Sequence, residues 1–404
     1  MLYALHEMRH AWLAPWNTIA AAHRDLLTHP FNPLAYLPAS RRLAATLDLF
    51  YRVTKRYERP EFGLDSTVID GREVPVEERV AIDKPFCRLL HFRRETARSD
   101  PTVLVVAPLS GHFATLLRDT VRALLPEHEV YVTDWVDAKM VPFSRGPFDL
   151  DDYVDYVREF IRFLGPRVHV ISVCQPTVPV LAAISLMADE GERTPPAMVM
   201  MGGPIDARRS PTAVNNLAVR KPLSWFERTV IHPVPVKYPG AMRRVYPGFL
   251  QHLGFVAMNP ARHADAHLDY YRHLVQGDGD SAEAHRRFYD EYNAVLDMPA
   301  EYYLDTIRKV FQEHQLPNGR FHVRGRLVRP QAISATALLT IEGELDDISG
   351  NGQTEAAHLL CTGIPAKRRS HYLVPGVGHY GIFSGRRWRE TIYPRIRDFI
   401  RRHA

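Results

Sequence analysis

The chain has 404 residues, 46% hydrophobic and 24% charged, with a formal net charge of +5. This is the balance of an ordinary soluble globular protein, and Lys and Arg are spread along the chain rather than gathered into one basic face, which speaks against nucleic-acid binding. The three cysteines, Cys87, Cys174 and Cys361, are too few for a disulfide framework in a chain of this size and leave at least one thiol free, so a reducing cytoplasm is expected.

In chain order, Leu5, Met8, Trp12, Trp16, Ile19 and Leu26 recur mostly at three- and four-residue spacing, the mark of an amphipathic helical region over 1–38. Pro15 is expected to break it or start it anew, and His29-Pro30-Phe31-Asn32-Pro33 ends it. A second helix is expected over Ser40–Arg56, which makes 1–77 an N-terminal helical region. The apolar stripe is expected to pack on the body of the protein; the alternative is a surface open to a hydrophobic partner. No apolar run approaches the ~20 residues of a spanning helix. Glu7, Arg9, His10 and Pro15 interrupt any secretory core, so the protein is expected inside the cell.

A core is expected to begin near residue 78. Val80–Ile82 and Cys87–Arg93 alternate like paired strands. The β-branched run Thr102–Pro108 reads as a strand buried on both faces. Helix 115–125, strand 129–133, helix 150–164, strand 168–173, helix 177–188 and strand 197–202 follow. This rhythm predicts an α/β fold with a mostly parallel sheet and helices on both faces. It stops near Pro204 and resumes over 335–341. Between lie about 130 residues rich in Tyr, Phe and Trp, read as an inserted, mainly helical cap over 205–334. Helix 352–361, strand 371–374 and helix 386–402 complete the second part of the core, 335–404.

The chemistry concentrates at three junctions. In Val170-Ile171-Ser172-Val173-Cys174-Gln175-Pro176-Thr177 a buried strand runs straight into a helix with a thiol at the turn, the setting of a nucleophile elbow. Ser172 and Pro176 stand where glycines are usual; serine is small, and proline suits a first helical turn. After the strand 335–341, Glu342-Gly343-Glu344-Leu345-Asp346-Asp347 supplies an acid, with Asp346 preferred and Asp347 its competitor. After the last strand, Gly376-Val377-Gly378-His379 supplies an imidazole on a glycine-flanked loop. The order nucleophile, acid, base is that of an α/β-hydrolase. Cys174, Asp346 and His379 are thus expected as a catalytic triad in which His379 activates the thiol and Asp346 fixes its tautomer. The oxyanion donors are expected to be the N–H of Gln175 and that of Ser110, with Leu109 as fallback. His112 precedes the nucleophile and is not expected as the base. Gly202-Gly203-Pro204 lacks the spacing of a phosphate cradle, and no metal or cofactor is expected.

These residues bring a family into view. The opening Met1-Leu2-Tyr3 and Leu5-His6-Glu7-Met8, the region Pro33–Arg42, Ser110–Arg118, Thr133-Asp134-Trp135-Val136-Asp137, Ser172-Val173-Cys174-Gln175-Pro176 and Gly343–Gly350 resemble the intracellular poly(3-hydroxybutyrate) depolymerases of the α/β-hydrolase superfamily. The resemblance extends over the whole chain. It implies hydrolysis of storage polyester to 3-hydroxybutyrate monomers and oligomers, cysteine as nucleophile, and residence on the storage granule in the cytoplasm. The rival readings are a polyhydroxyalkanoate synthase-like acyltransferase, a general thioesterase or acyltransferase, and a non-catalytic granule-binding protein.

Overall fold

The computed structural model describes residues 2–404; Met1, which opens the resemblance above, lies outside them. Strands β1 (Ser66–Ile69), β2 (Arg72–Asp83), β3 (Cys87–Arg94), β4 (Thr102–Val106), β5 (Glu129–Trp135), β6 (His169–Val173) and β7 (Ala197–Met201) precede the insertion. The insertion adds short strands β8 (His232–Pro233), β9 (Arg244–Tyr246), β10 (Met298–Pro299), β11 (His322–Val323) and β12 (Arg326–Leu327), and the core closes with β13 (Ala337–Gly343) and β14 (Arg369–Val374). Nine of these form one sheet in the order β1-β2-β3-β5-β4-β6-β7-β13-β14. The β1–β2, β2–β3 and β3–β5 pairs are antiparallel and every later pair is parallel, which makes this the α/β-hydrolase fold.

The buried strands show why two helical layers are needed. Leu104, Val106, Val170, Met198 and Leu338 point to one face, where they meet α4 (Leu150–Leu164) and α5 (Thr177–Asp189). Val103, Val105, Ile171, Val199 and Leu339 point to the other, against α3 (Arg118–Leu124) and the C-terminal helix Tyr393–His403. The alternation is the period of two of a strand covered on both sides. α4 starts at a capping box in which Asp149 and Asp152 each accept the other's backbone N–H, and it stops at Gly165, whose φ is +85.

Several expectations need correcting. The sheet begins at Ser66, not near 78: Asp70 (φ +51) and Gly71 (φ +78) make a two-residue hairpin turn joining β1 to β2 with Ile69 opposite Arg72. Asp-Gly is the residue pair such a turn favours. Pro15 does not break the first helix, α1, which runs through it from Leu2 to Thr28. Ala11, whose carbonyl loses its usual partner there, is exposed, so water can meet it. The expected helix 352–361 is mostly turns, with a helix only over Ala357–Leu360.

α1 lies on α2 (Pro38–Thr54) and reverses the expected packing. Its inner side is held by polar contacts: Tyr3 donates to Asp297 (2.6 Å), Arg24 to Asp48 (2.8 Å), and Glu7 pairs with Arg56 (2.6 Å). The stripe faces outward instead, with Leu5, Met8, Trp12, Trp16, Ile19 and Leu26 all exposed. No helix among the described residues is long and apolar enough to cross a membrane.

The insertion holds helices α6 (Ala213–Arg220), α7 (Leu223–Thr229), α8 (Gly248–Met258), α9 (Pro260–Gln276), α10 (Gly279–Asn293) and α11 (Ala300–Asp305) and a three-stranded sheet β10-β9-β8. α2 packs on α9 and α10: Tyr270 donates to Asp48, and Arg52 pairs with Asp290 (2.9 Å).

Candidate active site

β6 ends at Val173 and α5 begins at Thr177, so the chain must turn within three residues. That turn holds Cys174 at φ +68, a left-handed conformation that costs an L-residue about 1–2 kcal/mol. The Cys174 N–H bonds to Met201 O (2.7 Å) and the Thr177 N–H to Cys174 O (3.1 Å), which fixes the strained residue from both sides. Room for the turn comes from a neighbouring strand end. A Cβ at Gly203 would sit 2.4 Å from Cys174 O and 1.9 Å from Thr177 Oγ1. The sequence reading gave Gly202-Gly203 no role beyond excluding a phosphate cradle; their place directly after a core strand was the available signal.

Asp346 and His379 meet at the same edge of the sheet. Asp346 lies three residues beyond Gly343, the end of β13, and its Oδ1 accepts the N–H groups of Ile348 (2.9 Å) and Ser349 (2.8 Å). Its Oδ2 accepts from His379 Nδ1 at 2.7 Å, while Asp347 is exposed. Gly202 (φ +54) passes beneath the pair: a Cβ there would lie 3.3 Å from both Asp346 Oδ2 and His379 Cε1, and 2.6 Å from Ile382 Cδ1. Burial by itself would push the His379 pKa down. The charge on Cys174, then the charge and hydrogen bond of Asp346 and a hydrogen bond from Cys174, outweigh it and hold the imidazole well above its ordinary value. The structure therefore brings Cys174, His379 and Asp346 together.

The other thiols stand apart from this chemistry. Cys87 and Cys361 are buried, and burial pushes the Cys87 thiol well up and the Cys361 thiol to about 12. Cys174 is partly exposed.

Ser110 and Leu109 lie on the loop after β4, the strand paired to β6 with Val106 opposite Ser172. Among the described residues no acceptor takes the N–H of Gln175, Leu109 or Ser110. The insertion grips this loop. Leu296 N–H bonds to Gly111 O (2.7 Å), and a Cβ at Gly111 (φ +111) would strike Gln251 Oε1 at 2.6 Å. His112 is buried against Phe255 with its Nε2 3.2 Å from Tyr292 O, and burial lowers its pKa to about 4, so the ring is neutral. A cavity of about 1200 Å³ opens between α1, the 135–145 loops and α8, but Cys174, Asp346 and His379 do not line it.

The fold has many likenesses among solved structures. A Paleococcus ferrophilus monoacylglycerol lipase is 13% identical with a TM-score of 0.43, covering 76% of this chain and 97% of its own. A thermophilic esterase from Thermogutta terrifontis is 14% identical with a TM-score of 0.41, covering 84% and 98%. A 2-hydroxy-6-oxo-6-phenylhexa-2,4-dienoate hydrolase from Rhodococcus sp. strain RHA1 is 14% identical with a TM-score of 0.43, covering 81% and 99%. At these identities and TM-scores the likenesses carry no argument about substrate or role. No curated protein matches the chain. The model of the family described as PHB de-polymerase C-terminus matches residues 202–404, half of the chain, and the chain therefore belongs to this family of carboxylic ester hydrolases.

Proposed function

We propose that this chain hydrolyses the ester bonds of poly(3-hydroxybutyrate) storage polymer through Cys174, His379 and Asp346. The observation that carries the reading is the thiol held at a strained strand-to-helix turn beside a histidine whose Nδ1 is 2.7 Å from a buried carboxylate. In the first step the Cys174 sulfur bonds to the ester carbonyl carbon, and the alkoxide leaves with the proton carried by His379. The acyl group remains on Cys174 as a thioester. Water then adds to it, its proton going to His379, and the acid leaves as the thiolate re-forms. Asp346 holds the Nδ1–H tautomer so that Nε2 serves both steps. The N–H groups of Gln175 and of Ser110 or Leu109, left without protein acceptors, are the donors for the oxyanion. The insertion over 205–334 acts as the cap of this site, on the core segments 66–204 and 335–404.

The substrate is an insoluble surface, and the outward stripe of α1 is the surface that meets it. It continues past the helix in Phe31, Leu34 and Tyr36, all exposed. The exposed stripe supports a location on intracellular granules.

The test is release of 3-hydroxybutyrate from amorphous granules, without coenzyme A, by wild type and Cys174→Ala side by side. Release by wild type alone supports the reading. Release only when coenzyme A is supplied would mean an acyltransferase. Binding without release by either would mean a granule-coating protein.

A further inference from the structure

Tyr302, on α11, is 1% exposed, yet its hydroxyl has no hydrogen-bond partner among the described residues. A buried hydroxyl left unpaired costs stability, and native folds rarely keep one without a use. Its neighbours place it. The Tyr302 N–H bonds to Phe148 O (3.1 Å), and its ring stacks on Tyr153 at 5.6 Å and 16°. The Tyr153 hydroxyl donates in turn to Ala107 O at 3.0 Å, and Trp135 Nε1 donates to the same oxygen at 2.8 Å. Ala107 directly follows β4 and leads into the loop that carries Leu109 and Ser110. The stack therefore stands at the edge of the sheet where β6 delivers Cys174. A second orphan lies at the same edge: Gln175, 7% exposed, has neither side-chain Nε2 nor Oε1 partnered.

We propose that the Tyr302 hydroxyl is a substrate-binding donor that takes an ester oxygen of the polyester chain one repeat away from the bond being cut. This rests on the ester-hydrolase reading above. The chemistry fits the ligand. A polyester repeat offers acceptors and no donors, so a recognition group must donate. Burial, first, and the nearby Cys174 charge outweigh an opposing contact with the Thr306 side chain and hold the Tyr302 hydroxyl protonated. The attacked carbonyl already has backbone donors within the elbow and the 108–112 loop, which leaves the neighbouring ester as the group that needs one.

Tyr302→Phe tests this in the full chain, because it removes only the hydroxyl oxygen and leaves the ring. The substrates are a soluble linear trimer of 3-hydroxybutyrate and p-nitrophenyl butyrate, which has no second ester. Wild type must cleave both and Cys174→Ala neither; otherwise the hydrolase reading fails, whatever Tyr302 does. Given that, the trimer kcat/KM of Tyr302→Phe should fall at least tenfold further than that of the monoester, mainly through KM, with Tm no lower than wild type. Equal losses on the two substrates, or none on the trimer, would overturn the proposal. A Tm lowered by several degrees alongside the trimer loss would also overturn it, since the hydroxyl would then have a structural bond.

Discussion

Replacing Trp12 and Trp16 together by alanine probes adsorption to the polymer. Trp12 is 70% exposed and Trp16 52% exposed. A tryptophan side chain offers up to about 250 Å² of surface, so the pair presents roughly 300 Å² to solvent. A flat apolar surface covers about half of that, and at about 25 cal/mol per Å² the two rings contribute about 4 kcal/mol to adsorption. That corresponds to about three orders of magnitude in the partition constant. The assay is pelleting of inactive Cys174→Ala protein with amorphous granules, at low and near-molar salt, with and without the double substitution. Apolar burial survives salt, whereas attraction of a +5 protein to an acidic coat is screened. Adsorption lost in high salt, or within threefold of the parent in the double variant, would refute the argument. Both rings already face water, so the fold should be unaffected, and an unchanged Tm checks this.

Cys174→Ala should lower the rate by about 10³-fold or more, and a thiol alkylator should label Cys174 while sparing Cys87 and Cys361 in the folded protein, read by peptide mass. Asp346→Asn should cost far more kcat than Asp347→Asn; the reverse order would move the acid by one residue. The pH profile adds a signed test. His379 has its pKa raised, so its proton is fully held below the ordinary value of 6.5 and is lost only as pH rises through the raised value. The alkaline limb of kcat/KM should therefore lie well above 6.5, and Asp346→Asn should move it toward acid. Gly202→Ala places a methyl on the Asp346–His379 pair and against Ile382 at a positive φ. It should lower kcat by about 10- to 100-fold, measured on a soluble ester.

The positions of Cys174, Asp346 and His379 beyond strand ends were legible because strands buried on both faces announce themselves as apolar runs. β1 was passed over although Asp70-Gly71 marks its turn, because its residues alternate weakly and a helical reading of the N-terminus absorbed them. The direction of the α1 stripe was misjudged for a different reason. Helical period shows that a face is apolar but not which face meets the body, and here Tyr3, Glu7 and Arg24 hold the polar side inward. Tyr302 was invisible in sequence, where it is one of many tyrosines in the insertion; only the absence of a partner in three dimensions distinguishes it. Which of Asp346 and Asp347 meets His379 is likewise visible only in the 2.7 Å contact.

The attachment of the N-terminal helices has a mechanical consequence. α1 and α2 are fastened to the insertion, through Tyr3 to Asp297 and Arg52 to Asp290, and the insertion at Leu296 clasps Gly111 beside the oxyanion loop. The clasp at Leu296 and the Tyr3 anchor at Asp297 are adjacent residues. In the proposed reading, the helix that would meet the polymer and the loop that would face the reacting carbonyl are tied to neighbouring residues of the insertion. If these contacts have two arrangements, a surface that binds one of them more tightly would favour the matching arrangement of the loop by the same factor. Soluble esters, which would leave α1 in water, would act without that bias.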